Sequence, residues 1–235
     1  MKHVLMVGAS RGLGRVTNEL FKKNGIHTTV LSRHPIAGSN AGFKNIDLSD
    51  PTVVRSRIRD IFNEIGVISG ACFFQRWRNG TNAESDNNEL NVSLNSTRVI
   101  IEESMNFLDD QKDHAFTFVS SVNSSFVSLP AGIDYHIAKA GLDIAARYCA
   151  VQYGHLAARF NTVNPGSFSK PENVENLVKF NKLVNKISNL SPLGRATTAN
   201  DVAELILFLS SQRSLAITGQ NITIDSGVSL RWPES

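Results

Sequence analysis

The chain has 235 residues, of which 41% are hydrophobic and 19% charged, with 16 glycines and 7 prolines. That is a globular composition, long enough to bury a substantial core without disulfides or metals. Its 24 basic and 21 acidic residues are spread along the chain, and the densest basic group, Arg55, Arg57 and Arg59, reads as the solvated side of a helix rather than a nucleic-acid-binding patch.

Strand and helix signals alternate from end to end. They predict an α/β fold with a doubly wound parallel sheet, Rossmann-like, of about seven strands with helices on both faces, in one domain spanning 1–235. His3–Val7 reads as the first strand, followed by a glycine turn and a helix from Leu13 to Asn24, which Gly25 ends. Thr28–Ser32 is a β-branched second strand and Phe43–Asp47 a third, after which Asp50 and Pro51 open a helix. Val67–Phe73 is a fourth strand, Glu89–Leu108 a long helix and Ala115–Ser120 a fifth strand. Ile133–Tyr153 is a long alanine-rich helix, Arg159–Asn164 a sixth strand, Val202–Ser210 a helix and Asn221–Ile224 a final strand. The polar segment Ser167–Ser191, weakly periodic and rich in Asn and Lys, leaves the carboxyl end of the sixth strand. Ligands of such sheets bind beyond the strands' carboxyl ends, so this segment is read as a substrate lid.

Gly8, Gly12 and Gly14 form G-x-x-x-G-x-G directly after the first strand and open a helix. Glycines let a backbone turn tightly and approach a diphosphate, while the helix N-terminus offers N–H groups and positive dipole. NAD enzymes usually carry an acid about 20 residues on, at the end of the second strand. Here that place reads Ser32-Arg33, and Arg11 adds a second cation in the loop. A guanidinium pairs with a 2′-phosphate and a carboxylate repels one, so NADP(H) is expected rather than NAD(H).

Tyr135 and Lys139 stand four residues apart, one helical turn, and so share a helix face. A free phenol, with a pKa of about 10, is a poor proton donor or acceptor near neutrality; an adjacent ammonium favours its ionised form and brings it into a useful range. With the glycine turn, this pair predicts a nicotinamide-dependent oxidoreductase in which tyrosine moves the proton.

Cys72 and Cys149 lie in apolar runs and read as buried thiols, and no metal-ligand spacing appears among cysteines and histidines. The apolar run near the N-terminus, VLMV, is too short for a signal-peptide core, and no stretch approaches a membrane span. A cytoplasmic protein is expected, acting on a small molecule and on neither nucleic acid nor membrane.

Several motifs in order resemble the short-chain dehydrogenase/reductase family, over nearly the whole chain and in its compact single-domain form. GASRGLG looks like the family's TGxxxGxG loop, Asp47-Leu48 like its adenine-contacting pair, and VSLNST like a stretch of its central helix. Ser121, Tyr135 and Lys139 match its Ser–Tyr–Lys set, Asn164-Pro165-Gly166 the turn beside the nicotinamide, and PLGRATTANDVAELILFLSS with TGQNITIDSG its C-terminal signature. The resemblance implies that Tyr135 exchanges a proton with a carbonyl or alcohol oxygen. Lys139 assists it and holds the nicotinamide ribose, and Ser121 hydrogen-bonds the substrate oxygen. Ser120 and Ser124 are alternatives to Ser121, which stands 14 residues before Tyr135 where relatives usually show about one fewer. Gly8, Ser10, Arg11, Gly12, Leu13, Gly14, Ser32, Arg33, Asp47, Leu48, Gly70, Ala71, Pro165, Gly166, Ser167 and Phe168 are then expected along the cofactor, beside Tyr135 and Lys139. Phe73, Phe74, Gln75, Trp77, Phe126, Leu129 and Phe168 would wall an aromatic cleft, and pairing of the two long helices would build a homodimer or homotetramer.

The chain also departs from the pattern. Val7 replaces the loop's threonine, Ser69-Gly70-Ala71-Cys72 is aligned with NNAG, Ser93 stands for the asparagine of a proton relay, and Asp225-Ser226-Gly227 for DGG. These changes keep open a second reading, a nucleotide-binding protein that kept the fold and lost turnover, serving as a sensor or assembly partner.

Overall fold

The computed structural model describes residues 2–35, 42–77, 88–110, 113–169 and 177–230. Strand β1 (His3–Val7) leads through the glycine turn into α1 (Gly12–Lys23), whose last turn carries Lys22 and Lys23 against the negative end of its dipole. Then come β2 (His27–Ser32), β3 (Phe43–Asn45) and α2 (Pro51–Ile65). The Asp50 side chain caps α2 by accepting from the Thr52 amide, and proline stands at the first helical position. β4 (Gly70–Phe73) follows. A helical run then passes from α3 (Asn88–Leu90) through a π turn at Asn91–Asn95 into α4 (Ser96–Ser104). β5 (His114–Val119), α5 (Ile133–Tyr153), β6 (Ala158–Pro165), β7 (Phe168–Ser169), α6 (Leu177–Leu190), β8 (Thr197–Thr198), α7 (Ala199–Leu209) and β9 (Asn221–Ile224) complete the described elements.

Seven of the strands form one parallel sheet in the order β3-β2-β1-β4-β5-β6-β9. The chain winds outward from β1 to β3, then crosses back to β4 on the other side of β1. The reversal therefore lies between β1 and β4, and a crevice opens there at the strands' carboxyl ends. Two apolar layers cover the sheet. One joins α2, α4 and α5 around Ile58, Phe62, Phe73, Phe116, Phe118 and Phe160, with Phe116 and Phe160 stacked 4.7 Å apart. The other joins α1 and α7 around Val4, Met6, Phe21, Val202 and Ile206.

The bounds of α5 and β9 match the sequence expectation. The expected helix Glu89–Leu108 instead contains a π turn and stops at Ser104. The expected strand Val67–Phe73 pairs in the sheet only from Gly70, because Ile68 bridges to Leu108 and Ser69 turns its hydroxyl to Asp109. α7 begins at Ala199 rather than Val202, since Thr198 and Asp201 form a reciprocal capping box. Of the expected lid at 167–191, residues 170–176 lie outside the described ones. The rest holds β7, paired with β8, and the fourteen-residue α6, whose polar composition had masked its helical period.

Candidate active site

The glycine turn closes on the carboxyl end of β4. Gly8 has φ +75° and Gly12 φ +57°, a region that side chains rarely adopt. A Cβ on Gly8 would stand 2.6 Å from the Gln75 amide nitrogen, and one on Gly14 would stand 2.5 Å from the Ala9 Cα. Arg11, at the N-cap of α1, makes no side-chain capping bond, so the cap residue does not claim the amides of the first turn. Ser10 is half-buried, Arg11 exposed, and Leu13 sunk into the core. The turn thus packs too closely against Gln75 and Ala9 for side chains at Gly8 and Gly14, and its helix start carries no side-chain cap.

At the end of β2, the Ser32 hydroxyl donates to the His34 carbonyl (2.6 Å), while exposed Arg33 lies 5.4 Å from the centroid of the Trp77 ring. Beyond β3, Asp47 accepts from both the amide and the hydroxyl of Ser49, and Leu48 is buried. Burial resists ionisation of Asp47, yet the Ser49 hydrogen bonds, helped by Arg33, bring its carboxyl below the usual range.

Tyr135 is in the first turn of α5, and its amide donates to the Gly132 carbonyl (3.2 Å). One turn on, the Lys139 side chain is buried with its Nζ 5.6 Å from the centroid of the Tyr135 ring, donating to the Val119 carbonyl (2.8 Å) at the end of β5. A second tie, from Ser120 Oγ to the Lys139 carbonyl (2.9 Å), fixes α5 against that strand end. The Ser120 hydroxyl is therefore turned towards the helix backbone. Ser124 accepts from Asn164 (3.1 Å). Ser121 caps the short helical turn Val122–Ser124 by accepting from the Asn123 amide (3.1 Å), which leaves its own proton uncommitted among the described residues. Of the three serines, only Ser120 spends its donor inside the protein; Ser121 and Ser124 both accept and keep the donor that a substrate oxygen needs.

Asn164 also donates to Asp143 (2.9 Å), which ties the end of β6 to α5. Pro165 pairs with Ile224, and a Cβ on Gly166 would meet the Asp225 Cβ at 2.7 Å, so the turn packs tightly against the end of β9. Ser167 is exposed just beyond it, and Phe168 enters β7. Ser93 is fully buried in the π turn and donates its hydroxyl to Glu89 (2.5 Å).

One expectation needs correction. Gly70 and Ala71 pair with Val4 and Leu5 and are buried inside the sheet, so they do not reach the glycine turn. Cys72 likewise sits under β1, opposite Met6, with its thiol towards Ser210. The residues that emerge where β1 ends are Phe74, whose amide donates to the Val7 carbonyl (2.8 Å), then Gln75 and Arg76. Gln75 is buried, donates to Thr97 (2.6 Å), and holds its Oε1 without a partner among the described residues. The Arg76 guanidinium lies over the Tyr135 ring, 4.2 Å from its centroid. Counting the register of β4 against β1 would have found these two residues; the likeness of Ser69–Cys72 to a motif concealed them.

No group of three or more metal-ligating side chains occurs among the described residues. Nor is any of their helices long and apolar enough to cross a membrane.

Comparison with known proteins places the chain in a family and a fold. The family model described as enoyl-(acyl carrier protein) reductase matches residues 8–229. An uncharacterized oxidoreductase of Schizosaccharomyces pombe is 25% identical over 234 residues, which cover 96% of this chain and 90% of the relative. Tropinone reductase-like 2 of Erythroxylum coca is 24% identical over 256 residues, 99% of this chain and 92% of its own. The ligand-free structure of Thermoplasma acidophilum aldohexose dehydrogenase superimposes with a TM-score of 0.87 at 25% identity, covering 100% of this chain and 96% of that one.

Proposed function

Because the chain belongs to the short-chain dehydrogenase/reductase family, we propose that it interconverts a carbonyl and an alcohol, with NADP(H) as hydride carrier and Tyr135 as the proton-transfer group. The observation that carries this reading is the placement of Tyr135 and Lys139 one helical turn apart, with the Lys139 ammonium anchored to Val119 at the carboxyl end of β5, two residues before Ser121. Gly8 and Gly14 let the turn pack tightly against Gln75 and Ala9, and Gly8 and Gly12 take up the left-handed φ it needs, so the turn has the form of a dinucleotide loop, in which Gly12 and the first turn of α1 would hold the diphosphate. Such a cofactor supplies or accepts the hydride. The protein's own part is positional and electrostatic. Ser121 donates to the substrate oxygen, Tyr135 gives it a proton in reduction or takes one in oxidation, and the Lys139 ammonium stabilises negative charge on the phenol oxygen.

Arg33 supports NADP(H) over NAD(H), since it is exposed, forms no ion pair within 4 Å among the described residues though Asp47 lies within its field, and lies over the Trp77 ring. In an assay of NADPH and NADH oxidation across aldehydes, ketones and sugars, the wild type should prefer NADPH and Arg33→Asp should reverse that preference in kcat/KM. Unchanged selectivity contradicts the assignment.

One observation favours the second reading, binding without turnover: Ser93 commits its hydroxyl proton to Glu89 and is closed to solvent, which leaves it little capacity to relay protons through water. NADPH binding with no oxidation on any carbonyl of the panel would select that reading. Assembly with a second copy through α5 is also proposed, since the helix exposes Ile144, Tyr148 and Val151. Sedimentation only as a 25.7 kDa particle contradicts it.

A further inference from the structure

We propose that Arg76 recognises an anionic group on the substrate, so that the site takes a carbonyl compound bearing a carboxylate or phosphate close to the reacting carbon. This rests on the oxidoreductase reading above. Arg76 follows Gln75, whose backbone abuts Gly8, so it emerges where the glycine turn meets the crevice. Its guanidinium carbon is 4.2 Å from the centroid of the ring that carries the proposed proton donor.

One feature separates Arg76 from the chain's structural arginines. Arg55, Arg59, Arg159 and Arg195 each grip a carboxylate. Arg76 is exposed and has neither an ion pair nor a hydrogen bond among the described residues, where its guanidinium lies over the Tyr135 ring. A guanidinium held over an aromatic ring, with no hydrogen-bond partner among the described residues, keeps N–H donors that match the paired oxygens of a carboxylate or phosphate. The contact also fixes the cation beside Tyr135, so an anion bound there holds the rest of its molecule within reach of the phenol. The segment between Ser121 and Tyr135 exposes Phe126, Val127 and Leu129, and Ile133 is exposed at the start of α5; these apolar side chains suit an acid with a hydrocarbon or aromatic body.

The cofactor's diphosphate is a second source of the same chemistry, and the test separates the two. Benzoate and its uncharged analogue benzamide are titrated into the protein–NADPH complex, with NADPH fluorescence as the readout. Wild type should bind benzoate about tenfold more tightly than benzamide, in the range expected for one charge-assisted pair. Arg76→Gln should abolish that preference while its thermal midpoint and its affinity for NADPH stay unchanged. Equal affinity for the two probes, no measurable binding of either, or a preference that survives Arg76→Gln overturns the proposal. Loss of NADPH affinity in Arg76→Gln, with benzoate competing against NADPH, assigns the guanidinium to the diphosphate and also overturns it. Failure of the wild type to bind NADPH is visible before either probe is added, and it removes the oxidoreductase reading and this proposal together.

Discussion

Ser120 and Ser121 are adjacent and chemically identical, yet the fold gives them opposite tasks. Ser120 spends its proton on the Lys139 carbonyl inside the protein, whereas Ser121 accepts from the Asn123 amide and keeps its proton. Ser121→Ala should therefore lower kcat on the order of a hundredfold, the typical loss for a donor to a developing oxyanion, beyond the about 1 kcal/mol of stability that its cap on Asn123 supplies. Ser120→Ala should lower stability by about 1 kcal/mol, one buried hydrogen bond, and disturb kcat less. The reverse pattern would move the donor to Ser120. Sequence narrowed the choice to three serines and could not exclude Ser120, because that depends on which hydroxyl faces a helix residue 19 positions on. Cys72 was legible in one respect and not in another. Its burial was expected from apolar neighbours, and burial pushes its thiol up to about 12, so it is inert. Its distance from the crevice was not legible, because a central parallel strand is buried at every position and carries no mark of where it ends.

At the scale of elements, α2 and α4 are joined by a carboxylate clamp. Glu103 is 3% exposed and receives hydrogen bonds from Arg55 and Arg59, while Arg55 also reaches Glu102. Arg55 and Arg59 had read as a solvated helix surface, since their partners lie more than forty residues on and no local pattern announces them. Burial resists ionisation of Glu103, but the hydrogen bonds from Arg59 and Arg55 outweigh it and hold its carboxyl below the usual range. Its contribution to stability is therefore complete above the unfolded pKa of about 4.3 and is lost as pH falls through the lower folded value. Glu103→Gln should destabilise the protein at pH 7 by about 2 kcal/mol, a figure reduced from that of a fully buried pair because both guanidinium groups are partly exposed. The difference from wild type should shrink towards pH 3 in denaturant titrations. A pH-independent difference would show that packing, not charge, joins the two helices.

In the whole molecule, the order of strands accounts for the location of the site. β1, β4, β5 and β6 all point their carboxyl ends at one edge, and the reversal between β1 and β4 opens the crevice there. Most of this was legible in the sequence, because a strand–helix alternation leaves few topologies and the glycine turn marks the edge that binds. The identity of the side chains leaving β4 was not legible, since a shift of a few residues in register replaces small buried residues by Gln75 and Arg76. The central claim is that Tyr135 transfers the proton in a reaction whose hydride the cofactor carries. Its most direct test is kcat for NADPH-driven carbonyl reduction by wild type and Tyr135→Phe, alongside NADPH affinity. The phenol's removal should lower kcat by at least about a hundredfold, the usual scale of general acid catalysis, and leave NADPH affinity unaltered. A variant that turns over at the wild-type rate would contradict the account.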